Sequence, residues 1–140
     1  EPHHLSGGQK QKVAIAGIIA MRPKVIILDE ATSMLDPKGR DEVLKTIKQL
    51  NQEEKITVIQ ITHHLQETIF SDRIMIMNQG EILLDGSPKQ VLSERDTLKK
   101  VGFEVPLAGE LAHRLLTKGY PFSQNIITNE EFVQELWTLL

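Results

Sequence analysis

A chain of 140 residues with 25% charged and 40% apolar residues has the make-up of one globular domain, or of one domain with a small appendix. Its net charge of −3, from 16 basic and 19 acidic residues, gives no electrostatic basis for nucleic-acid binding, and no polybasic block argues for direct lipid binding. The absence of cysteine excludes disulfides, a thiol nucleophile and a thiolate metal site.

The opening residues Glu1–Pro2–His3–His4 show no signal-peptide pattern, and the His3–His4 pair is given no function. The longest apolar run, Val13–Met21, is far short of the ~20 residues that span a bilayer. Any membrane role is therefore expected to run through a partner. The chain starts without Met, just ahead of a motif, and is expected to be a fragment or the ordered part of a longer protein.

Ser6 is a good N-cap for a helix over Gln9–Met21, which Pro23 ends because the residue before a proline avoids the helical region. Lys24–Leu28 is a short, β-branched apolar run and reads as a strand buried on both faces. Asp36 at the cap and Pro37 at the first position start a second helix, with Val43, Leu44, Ile47 and Leu50 on one face. Ile56–Thr62 is a second buried strand. The strand–helix–strand order implies a right-handed crossover and a parallel sheet.

Leu65–Phe70 reads as a short helix. Arg73–Asn78 and Glu81–Asp85 flank Gln79–Gly80 as a tight hairpin, and Ser87 to Gln90 resembles a capping box opening a short helix through Leu92. After Ser93 the chain becomes charged and is interrupted by Gly102, Pro106 and Gly109. A helix is expected over Leu107–Lys118. A capping box at Thr128–Glu131 opens a last helix whose apolar stripe is Phe132, Val133, Leu136, Trp137 and Leu140. The domain boundary is placed at 94/95. The tail from Arg95 is too small to bury a core alone, so it must pack on the first domain or on another subunit.

Three stretches carry chemistry. Ser6–Gly7–Gly8–Gln9 places two glycines behind a cap serine at a helix N-terminus, where free N–H groups and the helix dipole favour an anion. The Ser6 hydroxyl and the Gly8 N–H suit a γ-phosphate, and Gln9 can reach the ribose side. Taken alone, the same residues describe an ordinary capped Gly-Gly turn. Val25–Glu30 is an apolar strand ending in two acids, at the carboxyl end where open α/β sheets place ligands. Asp29 suits Mg²⁺ held through water, and Glu30 suits a general base for an attacking water. The plain alternative is two acids ahead of a helix. Asp36 and His63 follow at ordered intervals. Asp36 alone is an N-cap, and His63 alone is a strand-end histidine that could sense a phosphate. With extended backbone His64 faces elsewhere, which argues against a metal-binding pair.

In order, LSGGQ (Leu5–Gln9), VIILDE (Val25–Glu30), SMLD (Ser33–Asp36) and His63 resemble the signature, Walker B, D-loop and switch histidine of ABC transporter ATP-binding subunits. GGQKQKVAIAG (Gly7–Gly17), LDEATSMLDPKGR (Leu28–Arg40), ITHHL (Ile61–Leu65) and GEILLDGSP (Gly80–Pro88) are most similar to the ATPases of energy-coupling factor (cobalt-type) transporters, which take up vitamins and transition-metal ions. Met34 stands where the D-loop usually has a small residue. No G-x-x-x-x-G-K-[ST] phosphate loop is present, since none of the nine glycines precedes a lysine.

The resemblance implies the C-terminal half of a P-loop ATPase with a parallel-sheet core, residues 1–94, and a helical extension, residues 95–140, as a dimerisation region. It implies ATP and Mg²⁺, with Glu30 and His63 catalytic, Asp29 for the metal, and Ser6, Gly7, Gly8, Gln9 and Asp36 for nucleotide. It also implies a second ATPase subunit paired head to tail, identical or a sister. Membrane-embedded scaffold and substrate components complete the complex, on the cytoplasmic face of the cell membrane. In that pairing Asp29, Glu30 and His63 act in cis and Ser6–Gln9 in trans. Two other readings are a soluble ABC-family ATPase acting on nucleic acid or ribosomes, and an inactive dimerisation fragment. The first usually adds a coiled coil, a second cassette or basic extensions, none of which is seen here.

Overall fold

The structure, a computed structural model, describes residues 4–139, so His3 and the stripe position Leu140 lie outside the described residues. The chain forms two compact units, Glu1–Thr62 and His63–Leu140.

The first unit runs α1 (Gly7–Ala20), β1 (Val25–Asp29), α2 (Pro37–Glu54) and β2 (Thr57–Ile61). Ser6 starts α1 through a reciprocal cap. Its Oγ accepts the Gln9 N–H at 3.2 Å, while Gln9 Oε1 accepts the Ser6 N–H at 2.9 Å. α1 ends before Pro23, and Arg22 takes a left-handed φ of 48° to turn the chain into β1. The strands pair in parallel, from Val25 opposite Thr57 to Asp29 opposite Ile61, with α2 as the crossover. α2 opens on Asp36 and Pro37 and ends where Lys55 adopts the left-handed region.

Ile15 of α1, Ile26 and Leu28 of β1, and Val43 and Ile47 of α2 form the core, closed by Leu35 and Ile56. The strands are not buried on both faces, contrary to the sequence expectation. Ile26 and Leu28 are each 4% exposed, but Ile27 is 62% and Ile61 is 51% exposed, and Val25 and Ile59 lie open beside them. Both helices bring their apolar residues to the Ile26/Leu28 face, and the pleat sends every other residue the opposite way.

In the second unit a short 3₁₀ turn, Leu65–Thr68, stands where a helix to Phe70 is expected. β3 (Ile74–Asn78) and β4 (Glu81–Gly86) then form the expected antiparallel hairpin, with an irregular register between Ile76 and Met77. Gln79 at φ 51° and Gly80 at φ 84° supply the two left-handed residues that a type I′ turn demands. Arg73 clamps Asp85 across the open end, Nε to Oδ1 at 2.7 Å and Nη2 to Oδ2 at 2.6 Å. These bonds hold the Asp85 carboxyl below the usual carboxylate range.

Four helices follow: α3 (Pro88–Ser93), α4 (Arg95–Lys100), α5 (Leu107–Thr117) and α6 (Asn129–Leu139). Packing runs continuously through 94/95. Leu65, Ile74, Ile76, Val91, Leu92, Leu98 and Ile127 share one cluster, so the tail closes the hairpin's core. A second cluster of Ala108, Ala112, Phe122 and Ile126 sits under α5 and α6. Arg95 is buried, and its Nη2 donates to the Gln124 carbonyl at 2.8 Å. Gly109 lies against the same loop, where an added Cβ would come within 2.9 Å of the Ile126 carbonyl oxygen.

The capping box ahead of α6 forms as its sequence requires. The Glu131 N–H donates to Thr128 Oγ1 at 3.1 Å, and Glu131 Oε2 accepts the N–H groups of Thr128 at 3.2 Å and Ile127 at 3.0 Å. Lys89 Nζ lies 2.9 Å from the other carboxylate oxygen. Burial pushes the Glu131 carboxyl up, but the Ile127 N–H, the Lys89 ammonium and the Thr128 N–H together hold it below its ordinary value.

The folded state therefore binds this proton less readily than the unfolded chain, whose glutamates titrate near ~4.3. The resulting stability is complete above that value and is lost as pH falls through the lower folded value. In the full-length subunit, Glu131→Gln should flatten the acid limb of the thermal-midpoint-versus-pH curve. Thr128→Ala should cost about 1 kcal/mol at neutral pH, read by denaturant unfolding.

Candidate nucleotide site

The signature residues stand at the start of a regular helix. Gly7 and Gly8 are its first two residues, so their N–H groups have no helical acceptor and point outward with the positive end of the dipole. Ser6 Oγ accepts from Gln9 and keeps its own O–H to donate. This donor set fits an anionic phosphate. Gln9 closes the cap, so reaching a ribose requires it to release the Ser6 N–H.

The glycines also have a second reason to be there. A Cβ at Gly8 would lie 3.1 Å from the Met34 carbonyl oxygen and 3.3 Å from Leu35 Cδ2, and one at Gly7 would lie 3.3 Å from Met34 Sδ. The signature turn is thus packed onto the D-loop of its own chain.

Pleat alternation places Asp29 on the open face of β1 at the strand's carboxyl end, where a carboxylate can meet a hydrated cation. Glu30 follows, half-buried, with a left-handed φ of 48°. Its N–H donates to the Ile61 carbonyl at 3.0 Å, extending the β1–β2 pairing. Its carbonyl accepts the Ser33 N–H at 3.1 Å and Gln11 Nε2 at 3.4 Å.

The D-loop then turns tightly, with the Leu35 N–H on the Thr32 carbonyl at 3.1 Å, both side chains buried, and Met34 exposed. Asp36 is the N-cap of α2 by backbone conformation, but its side chain makes no cap hydrogen bond. Its Oδ1 sits instead over Gly39, 2.7 Å from where a Cβ would be.

The first unit therefore carries Ser6, Gly7, Gly8 and Gln9 at one helix end, Asp29 and Glu30 at one strand end, and Asp36 where the loop between β1 and α2 ends; Gly8 beside Met34 and Leu35, and Gln11 on the Glu30 carbonyl, join the helix to that loop. His63 opens the second unit and is exposed. Its ring lies 4.0 Å, centroid to centroid, from that of His64 at a tilt of 42°, so His64 does not face elsewhere, contrary to the sequence expectation. His64 itself is extended, at φ −93° and ψ 96°, but the chain bends at His63, and that bend takes the pair out of strict alternation.

Sequence reasoning missed Gln11. Gly8, Gln11, Lys12 and Ile15 recur at helical spacing on the α1 face that meets the loop and α2, where Lys12 Nζ bonds Glu42 Oε2 at 3.0 Å. That periodicity was the signal available for finding it.

A family model described as ABC transporter matches residues 1–33. The energy-coupling factor transporter ATP-binding protein EcfA1 of Geobacillus kaustophilus is 52% identical over 139 residues, covering 99% of this chain and 50% of that protein. The chain matches one half of an ABC transporter ATP-binding protein along nearly its whole length. It is similar to energy-coupling factor ATP-binding proteins of several bacteria, and it spans about half the length of the curated relatives it matches.

Solved structures carry the same fold. The structure of cbiO1 from Clostridium perfringens, titled as part of the ABC transporter complex cbiONQ, superposes with a TM-score of 0.60 at 41% identity, over 80% of this chain and 45% of that one. The ATP-binding cassette MJ0796, solved as a dimer bound to ADP and Pi, gives 0.60 at 36% identity, over 63% and 38%.

The Gly8 contacts make a prediction for stability. Gly8→Ala in the full-length subunit should lower unfolding stability by about 1–3 kcal/mol, because the methyl meets backbone that cannot swing away. Gly7→Ala, which meets the flexible Met34 thioether, should cost less. Parallel denaturant titrations compare the two.

Proposed function

We propose that the full-length subunit to which this chain belongs binds and hydrolyses ATP and couples that work to the uptake of a vitamin or transition-metal ion by an energy-coupling factor importer. The observation that carries the reading is the 52% identity to an energy-coupling factor ATP-binding protein along 99% of the chain. The site geometry is compatible with it.

Glu30 is assigned as general base for the attacking water and Asp29 as the carboxylate that holds hydrated Mg²⁺. Ser6, Gly7, Gly8 and Gln9 are assigned to the γ-phosphate and ribose of a nucleotide on a partner subunit. Asp36 is assigned to the D-loop contact across the pair and His63 to sensing the γ-phosphate. Magnesium, when bound, neutralises charge on the phosphates. Ser6 and the glycine N–H groups donate to phosphate oxygens, while Glu30 orients water and takes its proton.

Because the 140 residues contain no G-x-x-x-x-G-K-[ST] loop, the chain in isolation is proposed to be inactive. The open aliphatic face of Val25, Ile27, Ile59 and Ile61 supports this, since a surface of that kind calls for cover from the rest of the subunit. Residues 95–140 are proposed as a dimerisation extension, resting on the exposed Val133, Leu136 and Trp137 of α6. Among the described residues no helix is long and apolar enough to cross a membrane, so attachment to the cytoplasmic face is proposed to run through membrane-embedded scaffold and substrate-binding partners.

The decisive experiment is ATP turnover by the full-length complex. Glu30→Gln should keep ATP binding and lose ~10²-fold or more of kcat. Near-normal hydrolysis would overturn the role given to Glu30. For the extension, Trp137→Ala should weaken subunit association measured by sedimentation, and unchanged association would show that α6 packs within its own chain.

A further inference from the structure

The first unit joins α1 to the peptide that carries Glu30. Glu30 is a non-glycine residue at φ 48°, a conformation that costs an L-residue of order 1 kcal/mol and persists where the surroundings fix it. The backbone bonds from Glu30 N–H to Ile61 and from Ser33 N–H to Glu30 are made by the strand and the loop themselves. A further contact comes from α1: Gln11 Nε2 donates to the Glu30 carbonyl at 3.4 Å. Gln11 is half-buried, and its Oε1 is buried with no hydrogen-bond partner. A buried amide with half of its capacity unused is a costly choice for filling space. The contact with Glu30 gives that amide a purpose.

Gly8, one turn earlier on the same face, sits against Met34 and Leu35, so α1 holds both ends of the loop that begins at Glu30. We propose that Gln11 is a positioning residue for Glu30: its amide fixes the Glu30 peptide in the left-handed conformation, and so fixes the direction in which the carboxylate leaves the backbone. This inference rests on Glu30 being the general base. Gln11 itself touches neither nucleotide nor water; it acts through the peptide.

The test uses the full-length complex and four variants: Gln11→Met, Gln11→Lys, Glu30→Gln and the double variant Glu30→Gln with Gln11→Met. Gln11→Met matches the length of the side chain without a donor, and Gln11→Lys restores an N–H donor on a longer stem. Losing one positioning hydrogen bond of this length should lower kcat about threefold in Gln11→Met, with KM for ATP and the thermal midpoint little changed. Gln11→Lys should recover part of that loss. A packing role predicts the reverse order, with methionine the better tolerated. In the Glu30→Gln background, adding Gln11→Met should leave ATP affinity unmoved.

Wild-type turnover in Gln11→Met, lysine no better than methionine, or a rise in KM at constant kcat would each overturn the proposal. Failure of the underlying reading looks different: Glu30→Gln would then hydrolyse ATP normally. A dead Glu30→Gln with an unaffected Gln11→Met rejects only the role of Gln11.

Discussion

The loop from Glu30 to Asp36 has almost no regular structure of its own, and what gives it a shape is the face of α1 beneath it. Gly8 lies where a Cβ would crowd the Met34 carbonyl at 3.1 Å, Gln11 reaches the Glu30 carbonyl, and Ile15 joins the core with Leu28 and Leu35. The helix whose tip is proposed to bind phosphate is thus the same helix that contacts the loop carrying the acids. A displacement of α1 would therefore act on both.

The second unit is held differently. Its helices are short, and several are pinned by polar groups at their ends: Ser87 with Gln90 ahead of α3, Thr128 with Glu131 ahead of α6, and Arg95 on the Gln124 carbonyl. Glu110 repeats the pattern on α5, where hydrogen bonds from Lys99 and Arg114 outweigh burial and hold its carboxyl below the ordinary range. Small clusters such as Ala108, Ala112, Phe122 and Ile126 bury limited area, so end-pinning of this kind has more to contribute here than in the first unit.

Local chemistry was legible in the sequence wherever a residue acts on its own neighbours. Ser6, Ser87 and Thr128 each announced a cap that forms, Gln79–Gly80 announced its hairpin turn, and Asp36–Pro37 announced the start of α2. Long-range features were not legible. The apolar run Val25–Leu28 and the largely apolar stretch Ile56–Ile61 suggested strands covered on both faces, but hydropathy does not say which element supplies each cover, and here the helices crowd one side. The His63–His64 contact and the Gln11–Glu30 contact depend on where the backbone goes next, which composition and spacing do not encode. The family resemblance was legible because its motifs are short and contiguous, while the position of Gln11 emerges only when the α1 face is seen against the loop.

The left-handed backbone at Glu30 also limits which residues can stand there. Glycine would relax it but carries no carboxylate, and β-branched residues would be excluded by their own Cβ substituents. Aspartate and asparagine tolerate that region best, yet each is a methylene shorter than glutamate. The backbone therefore favours short side chains at the position where the proposed general base needs reach. A more comfortable residue at position 30 would fold more easily and reach less far, so under that proposal the glutamate stands there against the preference of its own peptide.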